Sequence, residues 1–192
     1  GALFDYVSGL VPRAPSWLAD TGWEWIFRLA IEPGRMWKRY LLGNPAFLVP
    51  GAMEAMQALS KAISRVRLSP VLLELTHLRA SQINGCGFCL DMHTKDASAA
   101  GESSVRLNLV AAWREAIVFT PAERAALELT EAGTQIAGGA GVPDGVWQRA
   151  AEHYDDDQLA ALVGLIATIN AFNRINVIVA QPAGSYQPGQ FS

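Results

Sequence analysis

One stretch of the sequence predicts the fold on either side of it: Ser69-Pro-Val-Leu-Leu-Glu74-Leu-Thr-His-Leu-Arg-Ala-Ser-Gln-Ile-Asn84-Gly85-Cys86-Gly-Phe-Cys89-Leu-Asp-Met-His93. Serine followed by proline is typical of the N-cap and first turn of a helix. Asn84 and Gly85 are the two residues best able to end that helix in a left-handed conformation. A second helix then begins at about Cys86. The stretch therefore predicts two helices joined by a tight reversal.

Helical patterns continue outward from this hairpin in both directions. Upstream, apolar residues recur at three- and four-residue spacing from Met53, in a helix that ends before the serine of the hairpin. Downstream, the second hairpin helix runs to about Ala100 and stops at Gly101. A capping box that opens with Thr120 then starts a helix that runs to about Ala137.

The last long helix begins at the acidic run 155–157, because carboxylates stabilise the positive end of a helix. Its apolar residues are spaced so that we expect them to face a core: Leu159, Leu162, Val163, Ile166, Ile169 and Phe172. No segment alternates apolar and polar residues as a half-buried strand does. We therefore expect an all-α fold with a helical appendage at its N-terminus.

Composition disfavours several classes of protein. Of the 192 residues, 51% are apolar and 17% are charged, which argues against disorder. The formal net charge of −3 gives no general attraction to nucleic acid. The longest apolar stretch, 159–172, contains Gly164, Thr168 and Asn170, which favours a buried core helix over a membrane span. No secretory signal pattern opens the chain, so we expect a cytoplasmic protein.

A change in composition near position 48 divides the chain into residues 1–48 and 49–192. The first part holds four of the six tryptophans and is slightly basic, whereas the second is acidic. Pro50 and Gly51 stand close to this junction, where they would break a helix. We therefore expect an N-terminal helical segment followed by a separate helical domain.

The two cysteines of the chain, Cys86 and Cys89, are too close in sequence to link distant parts of a fold. In a reducing compartment such a pair is catalytic or metal-binding more often than structural. Cys86, Cys89 and His93 follow one another at three and four residues, so they project from one helix face. Glu74 and His93 lie about 16 Å and about 12 Å from the reversal at 1.5 Å per residue, so the hairpin brings them within a turn of each other.

These four residues suit thiol redox chemistry. A thiol reacts as its thiolate, and a helix N-terminus and a nearby base are the usual means of forming one. His93 can take a proton from a cysteine, and Glu74 can orient the imidazole or accept the proton. His93 lies nearer in sequence to Cys89, which favours Cys89 as the attacking thiol. The free N–H groups at the helix start favour Cys86 instead, as in thioredoxin-like proteins.

The spacing of Glu74, eleven residues, Cys-x-x-Cys, three residues and His93 resembles the redox-active members of the carboxymuconolactone decarboxylase and alkylhydroperoxidase D superfamily. Other similar runs are Ala112-Trp-Arg-Glu and Ile169-Asn-Ala-Phe-Asn-Arg-Ile-Asn176, and the resemblance covers about residues 50–187. The chain departs from the pattern at Phe88, where the best-known peroxidase members carry an additional histidine.

This resemblance implies an all-helical fold that assembles into homo-oligomers. It implies that Cys89 attacks a peroxide, that Cys86 resolves the product, and that Glu74 and His93 relay the proton. The implied substrates are small organic hydroperoxides, and the implied reductant is a lipoyl-type or thioredoxin-type thiol. Members that decarboxylate carboxymuconolactone generally lack the cysteine pair, so decarboxylation is disfavoured. We expect no cofactor.

A zinc site is the main alternative interpretation of the same residues. The two cysteines and His93 could bind the ion with His77 or Glu74 as a fourth ligand, in a helical module without catalytic activity. Otherwise His77 is predicted to be an ordinary helix residue. The other residues to which we assign structural roles, as satisfied polar groups or as core, are Asn170, Asn173, Asn176, Trp113 and Trp147.

The first 48 residues resemble the C-terminal tail of glycosyltransferases of the WecG/TagA/CpsF family. Three of the matching runs are Glu24-Trp-Ile-Phe-Arg28, Glu32-Pro-Gly-Arg35 and Arg39-Tyr-Leu-Leu-Gly-Asn-Pro45. Only the tail of that family is matched, so glycosyl transfer by this chain alone is not expected. Basic and aromatic residues interleave over residues 25–48, as in a helix that lies on a membrane surface. Packing of the tryptophans on the helical domain or on a second subunit is the alternative, and we favour it because the basic residues are few.

Overall fold

The computed structural model of the protein describes Ala30 and residues 51–139 and 141–190. The chain divides into two units, Gly1–Pro50 and Gly51–Ser192. Apart from Ala30, which is helical, the residues for which an N-terminal helical segment and a membrane contact are predicted lie outside the described part. Both statements therefore stay predictions.

Seven α-helices form the described part of the second unit. In chain order they are α1 Ala52–Ile63, α2 Pro70–Asn84, α3 Gly87–Ala99, α4 Ser104–Leu109, α5 Pro121–Thr134, α6 Asp144–Ala151 and α7 Asp156–Ile178. Short 3-10 helices lie at Val110–Ala112 and Ile136–Gly138. No strand occurs in residues 51–139 or 141–190, so the predicted all-α fold class is confirmed.

Helices α2 and α3 form the predicted hairpin, and local chemistry sets its ends. Ser69 Oγ accepts the backbone N–H of Leu72 at 3.1 Å, which satisfies a free donor of the first turn. Gly85 ends α2 with φ 66°, a left-handed conformation that costs glycine little. The backbone N–H of Cys86 then returns to the carbonyl of Ser81 at 3.0 Å. This closed turn fixes the direction in which α3 leaves.

Helices α4 and α6 are the elements that the sequence interpretation missed. α4 has six residues, too few to show a helical period, although Ser103 caps it by accepting the N–H of Arg106. α6 has eight residues and begins after Pro143 without a side-chain cap. Short helices of this kind depend on packing against neighbours more than on their own propensity.

The helix α2 lies at the centre of the unit and packs against α3, α5 and α7. One apolar cluster joins α2 to α1, α5, α6 and α7 and includes Leu72 and Leu162. A second joins α2 to α3 and α5 and includes Leu75, Leu78 and Leu127. Because its apolar residues are buried in both clusters, α2 is held in place, and so are the polar residues that it also carries.

The helix α7 contains a core-facing stripe, but the stripe differs from the predicted one at two positions. Leu159, Leu162, Ile166 and Ile169 are buried as expected, whereas Val163 is 44% exposed. Leu165 is buried in its place, because the neighbouring helices cover the side of the stripe on which Leu165 lies. Phe172, also predicted to face the core, is only half-buried.

Trp113 is buried as predicted, but the prediction for Trp147 was wrong. Its side chain is 44% exposed. Helix α6 buries Val146 and Ala150, which are four residues apart on one face, and Trp147 lies beside that face.

Within the described residues, α7 is long and apolar enough to cross a membrane by length and composition alone. Core helices of globular domains share both properties. Nine of its residues are buried, among them Leu162 and Asn173, and they pack against α2 and α5 among other helices. This packing agrees with the core helix that the sequence predicted.

Candidate functional site

The hairpin brings Glu74 of α2 and His93 of α3 into direct contact. Glu74 Oε2 and His93 Nδ1 are 2.9 Å apart, a hydrogen-bonding distance. The two residues are 19 positions apart in sequence, and the left-handed turn at Gly85 is what folds one helix back on the other. The contact therefore follows from the length of the two helical arms.

The charges and the burial of Glu74 and His93 determine which of their atoms carry a proton. Burial opposes ionisation of Glu74, but the neighbouring imidazoles of His77 and His93 outweigh it and lower the pKa of Glu74 to about 2. Burial also lowers the pKa of His93, and the charge of His77 adds to that effect. Glu74 is thus a carboxylate and His93 a neutral imidazole. An ionised carboxylate only accepts, so Nδ1 of His93 carries the proton and donates it.

The other ring nitrogen of His93, Nε2, is buried and has no hydrogen-bond partner among the described residues. In a neutral ring whose Nδ1 bears the proton, Nε2 is a lone-pair acceptor. A buried acceptor without a partner is unusual in a native fold and is often found where it has a chemical role. Nε2 of His93 has the properties of a general base oriented by a carboxylate.

Both cysteines lie at the start of α3 and are buried, each about 1% exposed. Cys86 is the N-cap residue, and its Sγ accepts the backbone N–H of Cys89 at 3.4 Å. Cys89 Sγ accepts a hydrogen bond from Asn176 Nδ2 of α7 at 3.3 Å. Both thiols are free, without a disulfide between them.

The two sulfurs differ strongly in acidity. The hydrogen bond from the Cys86 thiol lowers the pKa of Cys89 to about 6 and outweighs the effect of burial. Asn176 and Asn173 act in the same direction. The same bond between the sulfurs raises the pKa of Cys86, and burial adds to it. Of the two sulfurs, Cys89 is therefore the one that ionises more readily.

Amide side chains connect the hairpin to α7. Asn84 Nδ2 donates to Asn170 Oδ1 at 2.9 Å and to Asn173 Oδ1 at 3.0 Å. Asn173 Nδ2 donates to Ser81 Oγ at 3.0 Å. Asn170 thus satisfies neighbouring polar groups, as predicted, and Asn173 does so while it also acts on the sulfur of Cys89. The structural role predicted for Asn176 was wrong, since Asn176 contacts the sulfur. Its place one turn beyond Asn173 on the same helix face was the available signal.

His77, predicted to be an ordinary helix residue and not a ligand, lies in α2 and is also part of this cluster. Its ring centroid lies 4.2 Å from that of His93. Its Nδ1 lies 3.9 Å from Glu74 Oε2. The signal in the sequence was its position three residues after Glu74, which places both on one face of α2.

The described residues bring together one group of metal-type donors at this site, formed by Glu74, His77 and His93. Their ligand atoms lie within 4.8 Å of one another. Neither Cys86 nor Cys89 belongs to the group, so the structure does not assemble the zinc site of two cysteines and a histidine that the sequence suggested. Two imidazoles and a carboxylate could hold a divalent cation. The same three groups equally make a proton relay.

A mainly apolar cavity borders Glu74. Its lining includes Val71, Leu75, Ala97 and Leu107, together with the acidic residues Glu74, Asp96 and Glu102, and neither cysteine. The cavity adjoins the relay carboxylate.

The chain resembles known proteins in two regions, which overlap over residues 50–61. Residues 50–132 match the Carboxymuconolactone decarboxylase family. Over 138 residues the chain is 40% identical to the uncharacterized protein YdfG of Bacillus subtilis (strain 168), covering 72% of this chain and 93% of that protein. Residues 1–61 match the Glycosyl transferase WecG/TagA/CpsF family. There the chain is 51% identical over 41 residues to an N-acetylglucosaminyldiphosphoundecaprenol N-acetyl-beta-D-mannosaminyltransferase of Bacillus subtilis, but it covers 16% of that enzyme.

Solved structures share the helical fold. A protein of unknown function from Agrobacterium tumefaciens, named as a candidate AhpD antioxidant defence protein, is 36% identical. It superimposes with a TM-score of 0.70 over 74% of this chain and 97% of its own. The debrominase Bmp8 superimposes with a TM-score of 0.63 at 19% identity, over 71% of this chain and 73% of its own, which is a likeness of fold alone.

Proposed function

Because this chain belongs to the carboxymuconolactone decarboxylase family, we propose that it is a thiol-dependent peroxidase or disulfide oxidoreductase of the alkylhydroperoxidase D type. The single observation that carries the proposal is the pair of free, buried sulfurs at the start of α3, in which hydrogen bonds from Cys86 and Asn176 lower the pKa of Cys89. A thiolate at neutral pH is the reactive form of cysteine. A second thiol in hydrogen-bonding contact is poised to form a disulfide.

The first step is attack of the Cys89 thiolate on a hydroperoxide. A sulfur–oxygen bond forms, the oxygen–oxygen bond breaks, and Cys89 becomes a sulfenic acid while an alkoxide leaves. The alkoxide needs a proton to leave as the alcohol. We assign this step to the relay of His93 and Glu74, hydrogen-bonded at 2.9 Å. The proton that left the Cys89 thiol is kept at this cluster and passes back to the alkoxide.

The second step closes the disulfide. The Cys86 sulfur displaces the hydroxyl of the Cys89 sulfenic acid, and the hydroxyl leaves as water with the proton of the Cys86 thiol. The contact between the sulfurs before the reaction means that little rearrangement is needed. An external dithiol of the lipoyl or thioredoxin type then reduces the disulfide with two electrons and two protons.

Decarboxylation of carboxymuconolactone is the activity that the family name suggests, and the site does not favour it. A decarboxylase has no need of a low-pKa thiolate held against a second thiol. The cysteine pair at the start of α3 therefore supports redox chemistry. The substrates that we propose are small organic hydroperoxides, because both sulfurs are buried and bulky peroxides would reach them less easily.

Three further elements complete the proposal, and the family resemblance implies the first of them. The protein is proposed to assemble into homo-oligomers, to act in the cytoplasm and to work without a cofactor. Light scattering of the purified chain measures the first, and fractionation of cells measures the second. Flotation with liposomes, with and without residues 1–48, tests whether the N-terminal segment binds membranes.

Stopped-flow oxidation of the reduced protein by a small hydroperoxide, followed by intact mass, tests the proposed activity. We expect fast oxidation and a loss of about 2 Da, the two hydrogens of the dithiol. Oxidation no faster than that of a free thiol would contradict the proposal. Zinc analysis of protein purified without chelator belongs to the same test. About one tightly held ion per chain would favour the metal-binding alternative.

A further inference from the structure

The contact between Glu74 and His93 shows which residue of α3 lies opposite His77 in the hairpin. Glu74, His77 and Ser81 follow one another at three and four residues and so share a face of α2. The contact of Glu74 with His93 sets the register between the two antiparallel helices. One turn nearer the reversal, the residue on α2 is His77 and the residue on α3 is Cys89. His77 therefore lies at the level of the proposed attacking sulfur.

The contacts of His77 agree with this register. Its ring lies against that of His93, with centroids 4.2 Å apart, and its Nδ1 lies 3.9 Å from Glu74 Oε2. Nδ1 is buried and has no hydrogen-bond partner among the described residues. The side chain as a whole is 16% exposed, compared with 9% for His93. Of the two imidazoles, His77 is therefore the one with more access to water.

Building on the proposed peroxidase function, we propose that His77 is the second imidazole of the relay and holds the proton that leaves Cys89 as an imidazolium beside Glu74. His93 stays neutral while His77 is charged, because two touching imidazoles do not readily both carry charge and His93 is the more deeply buried. When the peroxide bond breaks, the His77 proton passes to the alkoxide, which leaves as the alcohol. The proton that left Cys89 is thus accounted for, and both imidazoles are neutral again, as they were before Cys89 lost its proton.

The charged groups around the proposed His77 imidazolium are negative, as a buried cation requires. Glu74 is ionised and close to Nδ1, and the Cys89 thiolate is at the same level of the hairpin. On α3 the other charged group acting on the cluster is Asp96, which favours protonation of His93. On α7 the side chains that face the sulfur are the neutral Asn173 and Asn176. The charge of His77 contributes to the low pKa of Cys89, after the larger effects of Cys86 and the two asparagines.

The test uses the full chain and a readout independent of peroxide. The rate of alkylation of Cys89 by iodoacetamide is measured against pH in the wild type, in His77→Gln and in the control His153→Gln, whose histidine is exposed and distant in sequence. We expect His77→Gln to raise the apparent pKa of Cys89 by about 1 unit, which is about a tenfold loss of thiolate below the midpoint. His153→Gln should match the wild type. Circular dichroism establishes that each variant is folded.

Chemical rescue separates a proton-holding role from a structural one. In His77→Ala, added imidazole should restore most of the lost peroxide-reduction rate, with a dependence on pH that follows imidazole. Unchanged alkylation in His77→Gln together with no rescue of His77→Ala would overturn the inference. A divalent ion retained by the wild type and lost in His77→Gln would also overturn it. If the wild type fails to reduce peroxide but its alkylation profile still shifts in His77→Gln, the proposed function fails and the role of His77 stands.

Discussion

Asn176 donates a hydrogen bond to the sulfur of Cys89 at 3.3 Å, although the two residues are 87 positions apart in the chain. The donor comes from the C-terminal part of α7 and the acceptor from the first turn of α3. A neutral amide that donates to a thiolate favours the charged sulfur without contributing a charge of its own. The acidity of Cys89 thus depends on the docking of two helices that are distant in sequence.

Replacing Asn176 should make Cys89 less acidic. We expect Asn176→Ala to raise the pKa of Cys89 by about 1 unit, since a hydrogen bond to a charged group contributes about 1.5 kcal/mol or more. The absorbance of the thiolate near 240 nm, followed against pH, measures the shift. Val177→Ala, at an exposed neighbour on α7, is the matched control. Identical titrations of Asn176→Ala and wild type would show that the contact has no effect on the sulfur.

Substitutions of Cys86 should assign the roles of the two sulfurs. With Cys86→Ser, peroxide should convert Cys89 to a sulfenic acid that dimedone traps, because attack survives and resolution does not. Serine keeps a donor for Cys89, whereas Cys86→Ala removes it, so Cys86→Ala should oxidise more slowly at neutral pH than Cys86→Ser. Cys89→Ser should leave Cys86 slow to react, since its pKa is raised. Fast trapping in Cys89→Ser and none in Cys86→Ser would reverse the assignment.

The relay should make the fold sensitive to acid. The pKa of Glu74 is about 2 in the folded protein against an ordinary value of 4.5, so its stabilising effect is complete above about pH 4.5 and is lost as the pH falls towards 2. The pKa of His93 is also lowered, so its neutral form stabilises the fold above about pH 6.5 and less as the pH falls below that value. Both groups therefore weaken the fold in acid.

Urea unfolding at a series of pH values measures this dependence. Glu74→Gln should lose less stability than the wild type between about pH 4.5 and the acid limit of the titration. His93→Gln should lose less than the wild type as the pH falls below about 6.5. Parallel pH curves for the wild type and Glu74→Gln would contradict the low pKa of the carboxyl.

A second buried carboxylate should matter for stability alone. Glu131 of α5 accepts hydrogen bonds from Arg79 at 2.7 Å and Trp113 at 2.8 Å, and it pairs with Arg114. Glu131→Ala leaves these donors without a partner and should lower the free energy of unfolding by about 3 kcal/mol. The pKa of Cys89 should not change, which the thiolate absorbance checks.

The exposed pair of Glu128 and Arg149, with Nε and Oε2 2.7 Å apart, is the control for that substitution. Glu128→Ala should cost less than about 1 kcal/mol, because solvent screens the pair. Equal losses in Glu131→Ala and Glu128→Ala would mean that burial of the Glu131 carboxyl adds nothing.

Local spacing was enough to predict the hairpin and the meeting of its two arms. The cap at Ser69, the left-handed turn at Gly85 and the distances of Glu74 and His93 from that turn are all properties of one continuous segment. Interactions within one segment depend on helix geometry, which is the same in every protein. The shorter helices α4 and α6 were not predictable in this way, because packing stabilises them more than their own sequence.

By itself, the sequence determined the all-α class, the hairpin and the presence of Glu74, Cys86, Cys89 and His93 at spacings that bring them together. Only the tertiary structure decided that Asn176 reaches the sulfur of Cys89 and that Leu165 is buried while Val163 is exposed. The choice of buried face on α7 depends on which helices pack beside it, and those helices come from distant parts of the chain. Helical periodicity shows that an apolar or polar stripe exists, but the partner of each stripe is set by long-range packing.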